Sequence, residues 1–346
     1  MESAAAMPVT TPAPGHRWWW AATALAVTVL TSFMIGRYPV APHQALAILA
    51  AKVLPITPFW PREAETVVLV IRLPRILAAI LVGASLAGSG AAFQGVFKNP
   101  MVSPDILGVA AGAGFGAALA ILLGGGGATV QLAAFVGGLG AVAATSAIGL
   151  WRRQGGGILV MILAGIIVGT VFSAGISLVK VAADPNNTLP AITFWLMGSL
   201  ASVLPGDLRI AALPMILGLA VLVVLRWRLN VLSFGDEEAR ALGVDAPRTR
   251  MVVVVAATLA TAASVAVSGI IGLVGLIVPH LARLLVGPNY RALMPACLLL
   301  GAAFLLAVDN LARAVTPGEV PLGILTSLIG APFFLALLFN LRKAWV

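Results

Sequence analysis

Runs of roughly twenty apolar residues recur from one end of the chain to the other, and that is the length an α-helix needs to cross a bilayer core. In hydrocarbon every backbone N–H and C=O must be satisfied internally, so only helices and closed barrels span. A barrel reads as short alternating segments, and the sequence contains none. Of the 346 residues, 60% are hydrophobic and 10% charged, far from the averages of soluble domains. The expected fold class is all-α: a polytopic membrane protein of about ten transmembrane helices.

Candidate crossings are 18–36, 73–97, 104–123, 128–150, 158–182, 207–228, 249–267, 270–286, 292–312 and 322–341. The apolar run from Met251 to Val286 is too long for one crossing, and Gly269, Gly272, Gly275 and Pro279 predict a break near Ser268. The shorter stretch Ala191–Val203, between Pro190 and Pro205, reads as a half-span or interfacial helix. Residues 1–16 are small, polar and Pro-containing, and are expected to form a disordered cytoplasmic tail. Residues 17–346 form a single transmembrane domain that includes a cytoplasmic segment, 229–248. No small-residue cleavage site closes the run that follows Trp18-Trp19-Trp20, so the first span is expected to be retained.

The net charge of +9 is spread in twos and threes at the ends of apolar runs, which is how topology-setting charges lie and argues against nucleic acid as a partner. With both termini cytoplasmic, Arg17, Lys98, Arg152, Arg153, Arg226, Arg228, Arg240, Arg248, Arg250, Arg283, Arg291, Arg342 and Lys343 face inward, thirteen of the 21 Lys and Arg. An internal echo relates Ala84–Gly90 to Ala263–Gly269 and Pro100 to Pro279, as an inverted repeat would. Small-residue pairs (Gly112 and Gly116, Gly165 and Gly169, Ala84 and Gly88) suit a tightly packed bundle.

Catalytic patterns are missing. His16, His43 and His280 lie far apart, and none begins a ligand spacing; His280 is expected to cap a helix or hydrogen-bond a loop. The single cysteine, Cys297, excludes an intrachain disulfide and reads as packing. Gly124–Gly127 lacks the following Gly-Lys-Ser/Thr of a phosphate loop and reads as a flexible outer loop. Asp309, four residues before Arg313, suggests a local helical ion pair rather than a proton relay. Ser103-Pro104-Asp105 has the pattern of an ordinary capped helix start.

Two clusters remain. Arg72 and Arg75 open the second crossing from outside and are joined by Arg313 at the outer end of the ninth, either as headgroup anchors or as a basic rim for an acidic soluble partner. On the inner side, FGDEEARALGVDAPR (234–248) holds four of the chain's twelve acidic residues. Glu237 to Leu242 favour a helix that Gly243 ends, with a small apolar face of Ala239, Leu242 and Phe234. A solvated loop and a docking knob both fit.

The stretch RLPRILAAILVGASLAGSGAAFQGVFKNPMVSPDILGVAAGAGFG (72–116) resembles the FecCD-type permeases, the membrane subunits of bacterial ABC importers for iron-siderophores, haem and vitamin B12. LAGIIVG (163–169), FWLMGSL (194–200), LSFGDEEARALGV (232–244), SGIIGLVGLIVPHLARLLVG (268–287) and GEVPLGILTSLIGAPFFLALL (318–338) continue the likeness. The resemblance implies the type II ABC importer permease architecture in the bacterial inner membrane. The chain would be a homodimer with the path between its copies, two cytoplasmic ABC ATPase subunits and a periplasmic substrate-binding protein. It implies a transport subunit rather than an enzyme, with no cofactor in this chain and with ATP and Mg on the ATPase.

By the same resemblance, Leu232, Gly235, Glu237, Glu238, Ala239, Arg240, Leu242 and Gly243 form the ATPase-coupling element. Arg72, Arg75 and Arg313 are the docking arginines, with the third position less secure because the segment before Glu319 is shorter than in relatives. Asn99 and Met101 belong to an inner gate, and Ser173, Ser177 and Lys180 to the pathway. Residues 151–157 match no family gating motif. The expected cargo is an iron chelate, siderophore or haem; vitamin B12, molybdate or tungstate are alternatives within the architecture. An ion-gradient-driven secondary transporter and an intramembrane enzyme are the competing classes.

Overall fold

A computed structural model describes residues 18–151, 157–315 and 318–341. The tail 1–16, Arg17, Arg152, Arg153, Arg342 and Lys343 lie outside the described residues. In chain order the helices are α1 (Trp18–Ser32), α2 (Pro42–Ala50), α3 (Arg62–Thr66) and α4 (Leu73–Val96), followed by α5 (Val109–Leu122), α6 (Gly127–Trp151), α7 (Gly157–Ala182) and α8 (Thr188–Leu196). The second half holds α9 (Pro205–Val224), α10 (Arg226–Phe234), α11 (Asp236–Ala241), α12 (Ala246–Ser268), α13 (Val274–Val286), α14 (Tyr290–Val315) and α15 (Leu322–Leu341). Each expected crossing coincides with a helix. Six described helical segments are long and apolar enough to span alone, while Val109–Leu122, Val274–Val286 and Leu322–Ala336 are shorter apolar helices.

The second crossing is longer than its expected bounds, running as helix from Arg62 to Val96. Its turn at Val67–Arg72 is π-helical. Pro74 has no N–H to return to the carbonyl four residues back, and a wider turn accommodates that loss. The expected helix start at Ser103 is also corrected. Pro104–Leu107 is a separate 3₁₀ turn without a Ser103 side-chain cap, and Gly108, left-handed at φ 82°, divides it from α5.

The bundle is organised around α4, which is buried along nearly its whole length. It packs antiparallel to α14: Arg75 faces Asp309, Gly83 faces Gly301, and Tyr290 lies over Gly95. A Cβ at Gly83 would collide with the Gly301 carbonyl, and one at Gly301 with the Gly83 carbonyl. The two backbones therefore touch directly, as small-residue contacts in membranes allow. Gly112 and Gly116 make the same approach to Gly137 and Ala133 on α6. The two copies of the sequence echo lie on α4 and α12, which are in contact; Ser89 Oγ donates to the Ala257 carbonyl at 3.0 Å.

The predicted break in the long apolar run falls at Gly269–Leu273, between α12 and α13. Its start is tied down by a backbone bond from the segment after α8, which the start of α15 engages in turn. Ser199 N–H donates to the Ser268 carbonyl (2.8 Å), and Leu322 and Gly323 N–H donate to the carbonyls of Gly198 and Met197 (2.9 and 3.0 Å). Of the stretch expected over 191–203 only the first part is helical: α8 begins earlier, at Thr188, and ends at Leu196, just before this junction.

Pro279 lies inside α13 and leaves the Gly275 carbonyl without its helical donor. Gln94 Nε2 of α4 fills the vacancy at 3.3 Å, and Arg283 Nη1 donates to Gln94 Oε1 at 2.5 Å. His280 neither caps a helix nor bonds a loop. Its Nδ1 lies 2.7 Å from the Leu276 carbonyl one turn back, and its ring meets Phe334 edge-on.

Candidate functional sites: a buried ionic cluster and an exposed capped helix

At one end of the bundle the three expected docking arginines come together, but inside the protein. Arg72 and Arg75 are 3% and 6% exposed. Arg75 Nε and Nη2 donate to Asp309 Oδ1 at 3.0 and 2.8 Å, while Nη1 and Nη2 also donate to the Glu319 carboxylate at 3.2 and 3.0 Å. Arg313 pairs with Asp309 at 3.2 Å, the local helical pair that the spacing predicts. Its nitrogens also donate to the Ile35 carbonyl (2.9 Å), to Ser32 Oγ (2.7 Å) and to Asn310 Oδ1. Arg72 donates to the carbonyls of Phe33 and Tyr38.

The physical reason is a shortage of donors just beyond α1, where the carbonyls of Phe33, Ile35 and Tyr38 lie in irregular chain and have no helical partner. Two arginines supply those donors, and the two carboxylates neutralise most of the positive charge. The expectation of an exposed basic rim is therefore corrected. Glu319, at φ 51° and one quarter exposed, is the member nearest to solvent.

The opposite end carries the acidic stretch. α10 and α11 meet at Gly235, whose φ of 141° favours glycine and whose missing Cβ leaves room for the Glu238 carboxylate. α11 closes in a Schellman arrangement: Val244 N–H donates to the Ala239 carbonyl (2.8 Å) and Gly243 N–H to the Arg240 carbonyl (2.9 Å), with Gly243 left-handed at φ 75°. Leu232, Ala239 and Val244 are buried and fix the unit to the core. Ala239 is thus an anchor rather than part of an exposed apolar face, which consists of Leu242 and Phe234. Glu237, Glu238 and Arg240 point to solvent around them.

Sequence reasoning passed over what holds this knob in place. Arg250 of α12 donates both terminal nitrogens to the two Asp236 oxygens. That hydrogen bond, with Lys98 and Arg240 adding positive field, holds the Asp236 carboxyl below its ordinary range. Asn230 Oδ1 accepts from Tyr290 N–H (2.8 Å), and its Nδ2 donates to Asn289 Oδ1 (2.9 Å), tying α10 to the start of α14. Asp236 stood in the acidic cluster, but its partner lies fourteen residues away and no local spacing points to it.

The gate candidates occupy an exposed turn at this same end. Lys98 has φ 50°, and Asn99 Oδ1 accepts from Met101 N–H at 2.9 Å. Ser173 and Ser177 are exposed on α7, where Ser177 Oγ donates to the Ser173 carbonyl at 3.1 Å, and Lys180 is half-buried in the last turn. The structure gives no contact between them and Asn99 or Met101. Among the described residues no group of three or more His, Cys, Asp or Glu could hold a metal ion.

These features define an all-helical polytopic membrane protein whose charged groups gather at its two ends, the architecture of a permease. The profile of the FecCD transport family matches residues 24–340, and the chain belongs to that family. It is the membrane-spanning permease of an ABC importer, a transport component and not an ATPase. The chain is 42% identical to the molybdate import system permease protein MolB of Haemophilus influenzae, over 92% of its own length and 94% of that protein. It is 43% identical to the cobalamin import system permease protein BtuC of Halobacterium salinarum, over 92% and 86% of the two chains. A solved structure described as an inward-facing conformation of a metal-chelate type ABC transporter superposes with a TM-score of 0.83 at 39% identity, covering 93% of this chain and 98% of the other.

Proposed function

We propose that two copies of this chain form the pore of an importer in the bacterial inner membrane, with both termini cytoplasmic, and that the pore carries an iron chelate, siderophore or haem, from periplasm to cytoplasm. Energy enters through two ABC ATPases docked on 229–248, where Leu232, Gly235, Ala239 and Gly243 shape the knob and Glu237, Glu238, Arg240 and Leu242 meet the ATPase. ATP and Mg reside on those partners. The observation that carries this reading is the rigidity of the knob. It is a six-residue helix, too short to cross, locked at both ends by glycines and anchored by buried side chains, yet it presents charge to solvent.

The charged residues buried among the described residues, Arg72, Arg75 and Asp309, all sit at the far end. That distribution favours an external energy source over a proton relay through the membrane. A periplasmic binding protein docks at the far end, where reaching Arg75 means displacing Glu319. The exposed apolar row of α7 formed by Leu163, Ile167 and Val171 suits contact with the second copy.

A second reading, molybdate as cargo, is favoured by the nearly full-length similarity to MolB. Calorimetric binding of ferric chelates, haem, cobalamin and molybdate to the partner binding protein separates the cargoes. Vesicle uptake that needs ATP supports the importer; uptake driven by a proton or sodium gradient without ATP overturns it.

A further inference from the structure

Beside α8 lies a cavity that neither the knob nor the arginine cluster uses. Its volume is about 630 Å³, and it sits where α6 and α9 begin and α12 ends, at the same end of the bundle as Arg75. α6 and α9 both pack on α12, whose last residues line the space between them. Phe194 and Trp195 of α8 and Leu204 before α9 supply apolar wall. Phe194 and Leu204 are 65% and 60% exposed, so the cavity opens at the protein surface. None of its lining residues belongs to α7, whose apolar row is assigned above to the second copy.

The polar lining carries one sign of charge. Asp207 is the one ionisable group among the described lining residues, and Gln131, Ser199 and Ser202 are neutral. Asp207 Oδ2 accepts from Leu204 N–H at 3.1 Å and so caps α9. Its Oδ1 accepts no hydrogen bond among the described residues, and the side chains of Gln131 and Ser202 have no partner there either. A carboxylate, an amide carbonyl and hydroxyls, with no basic side chain beside them, suit a ligand that brings N–H donors and positive charge: a primary ammonium.

The flanks say what carries the ammonium. Leu132 and Val136 of α6 and Ile210 and Leu213 of α9 are exposed on helices long and apolar enough to cross a membrane, so they face hydrocarbon. An occupant with its polar end at Asp207 therefore has chain-compatible surface on both sides. We propose that this cavity binds one phospholipid with a primary-amine headgroup, phosphatidylethanolamine, its ammonium on Asp207 and its acyl chains along α6 and α9. In the orientation proposed above the lipid belongs to the outer leaflet; the leaflet rests on that reading, the site does not.

Native mass spectrometry of the delipidated permease in detergent tests this, with titration of phosphatidylethanolamine, phosphatidylcholine or phosphatidylglycerol of matched chains. Phosphatidylethanolamine should bind most tightly. Asp207→Asn keeps an acceptor for Leu204 N–H and should weaken that binding by on the order of tenfold, the loss of one charge-assisted hydrogen bond, while leaving phosphatidylglycerol binding unchanged. Ser202→Lys leaves Asp207 and its cap intact and should displace the lipid by supplying an ammonium from within the chain, so the test survives if Asp207→Asn fails to fold. Glycerophosphoethanolamine, the headgroup without its chains, should not compete at equal concentration. If it does compete, the cavity takes a soluble amine and the proposal is overturned. Equal retention of the three lipids, or phosphatidylethanolamine binding unaltered by either variant, means annular lipid only and overturns it as well. If the lipid behaves as expected while vesicle uptake runs on an ion gradient without ATP, the importer reading fails and the lipid site stands.

Discussion

Arg75 and Arg250 each place two nitrogens on one carboxylate, yet they do so in different surroundings. The side chain of Arg75 is 8% exposed and that of its partner Asp309 not at all, whereas the side chains of Arg250 and Asp236 are 21% and 43% exposed. Around Arg75 the network is dense: two more arginines, a second carboxylate and the ends of α1, α4 and α14. Around Arg250 there is one carboxylate. Burial makes the first end an internal staple whose members cannot be removed singly. Exposure leaves the second open, so that a partner's charges can reach the protein and a single bidentate pair holds α11 to α12.

The sharpest way to break the contrast is Arg75→Ala. It leaves Glu319 without its ion-pair partner and Asp309 with Arg313 alone, and loss of one partner from a buried ion pair costs about 3–5 kcal/mol. Thermal unfolding in nanodiscs should fall accordingly, and a melting point equal to the parent's would erase the distinction between the two ends. Arg75→Glu should be worse, since it adds a third carboxylate to a cluster that has just lost a guanidinium.

Next in size is a functional effect without a stability effect. The double replacement Glu237→Lys with Glu238→Lys alters exposed side chains, so the melting point should stay within about 0.5 kcal/mol equivalent. ATP hydrolysis by the assembled importer should nevertheless no longer drive uptake. Uptake per ATP equal to the parent's would reduce the knob to a solvated loop.

Gly243→Ala tests the knob's closure. Its left-handed backbone disfavours a side chain by roughly 1–2 kcal/mol, so hydrogen exchange should speed up across 236–244 and stay constant around Arg75. The smallest effect is pH. Because the folded-state pKa of Asp236 is depressed, the stability it lends is present at neutral pH and is lost only as pH falls below the ordinary carboxylate value of 3.8 and through the folded value. Protease cleavage in 234–248 should therefore be flat from neutral to mildly acidic pH, rise only below that value, and rise earlier in high salt. A rise near pH 6 would assign the titration to some other group.

Much of the fold is legible in the sequence because hydrocarbon imposes long apolar runs: each expected crossing has its helix, and Gly269 marks the break in the longest run. The turn chemistry of the knob is equally local, so Gly243 could be assigned from four or five residues. The arginines are the opposite case. Arg75 and Asp309 lie 234 positions apart, and nothing within either segment says that the guanidinium turns inward to a carboxylate rather than outward to water. The π turn before Pro74 and the 3₁₀ turn before Gly108 escape for a related reason. Hydropathy measures how apolar a stretch is, not how its backbone bonds are spaced.

The carbonyl that Pro279 releases, and that Gln94 claims, ties the fate of two distant segments. A designer who moved α13 into another scaffold would carry over an orphaned acceptor in a dry interior, and one who changed Gln94 to leucine would create the same orphan without touching the proline. Swapping Pro279 for alanine restores the missing N–H and makes Gln94 redundant at that carbonyl, so the two positions should be redesigned as one.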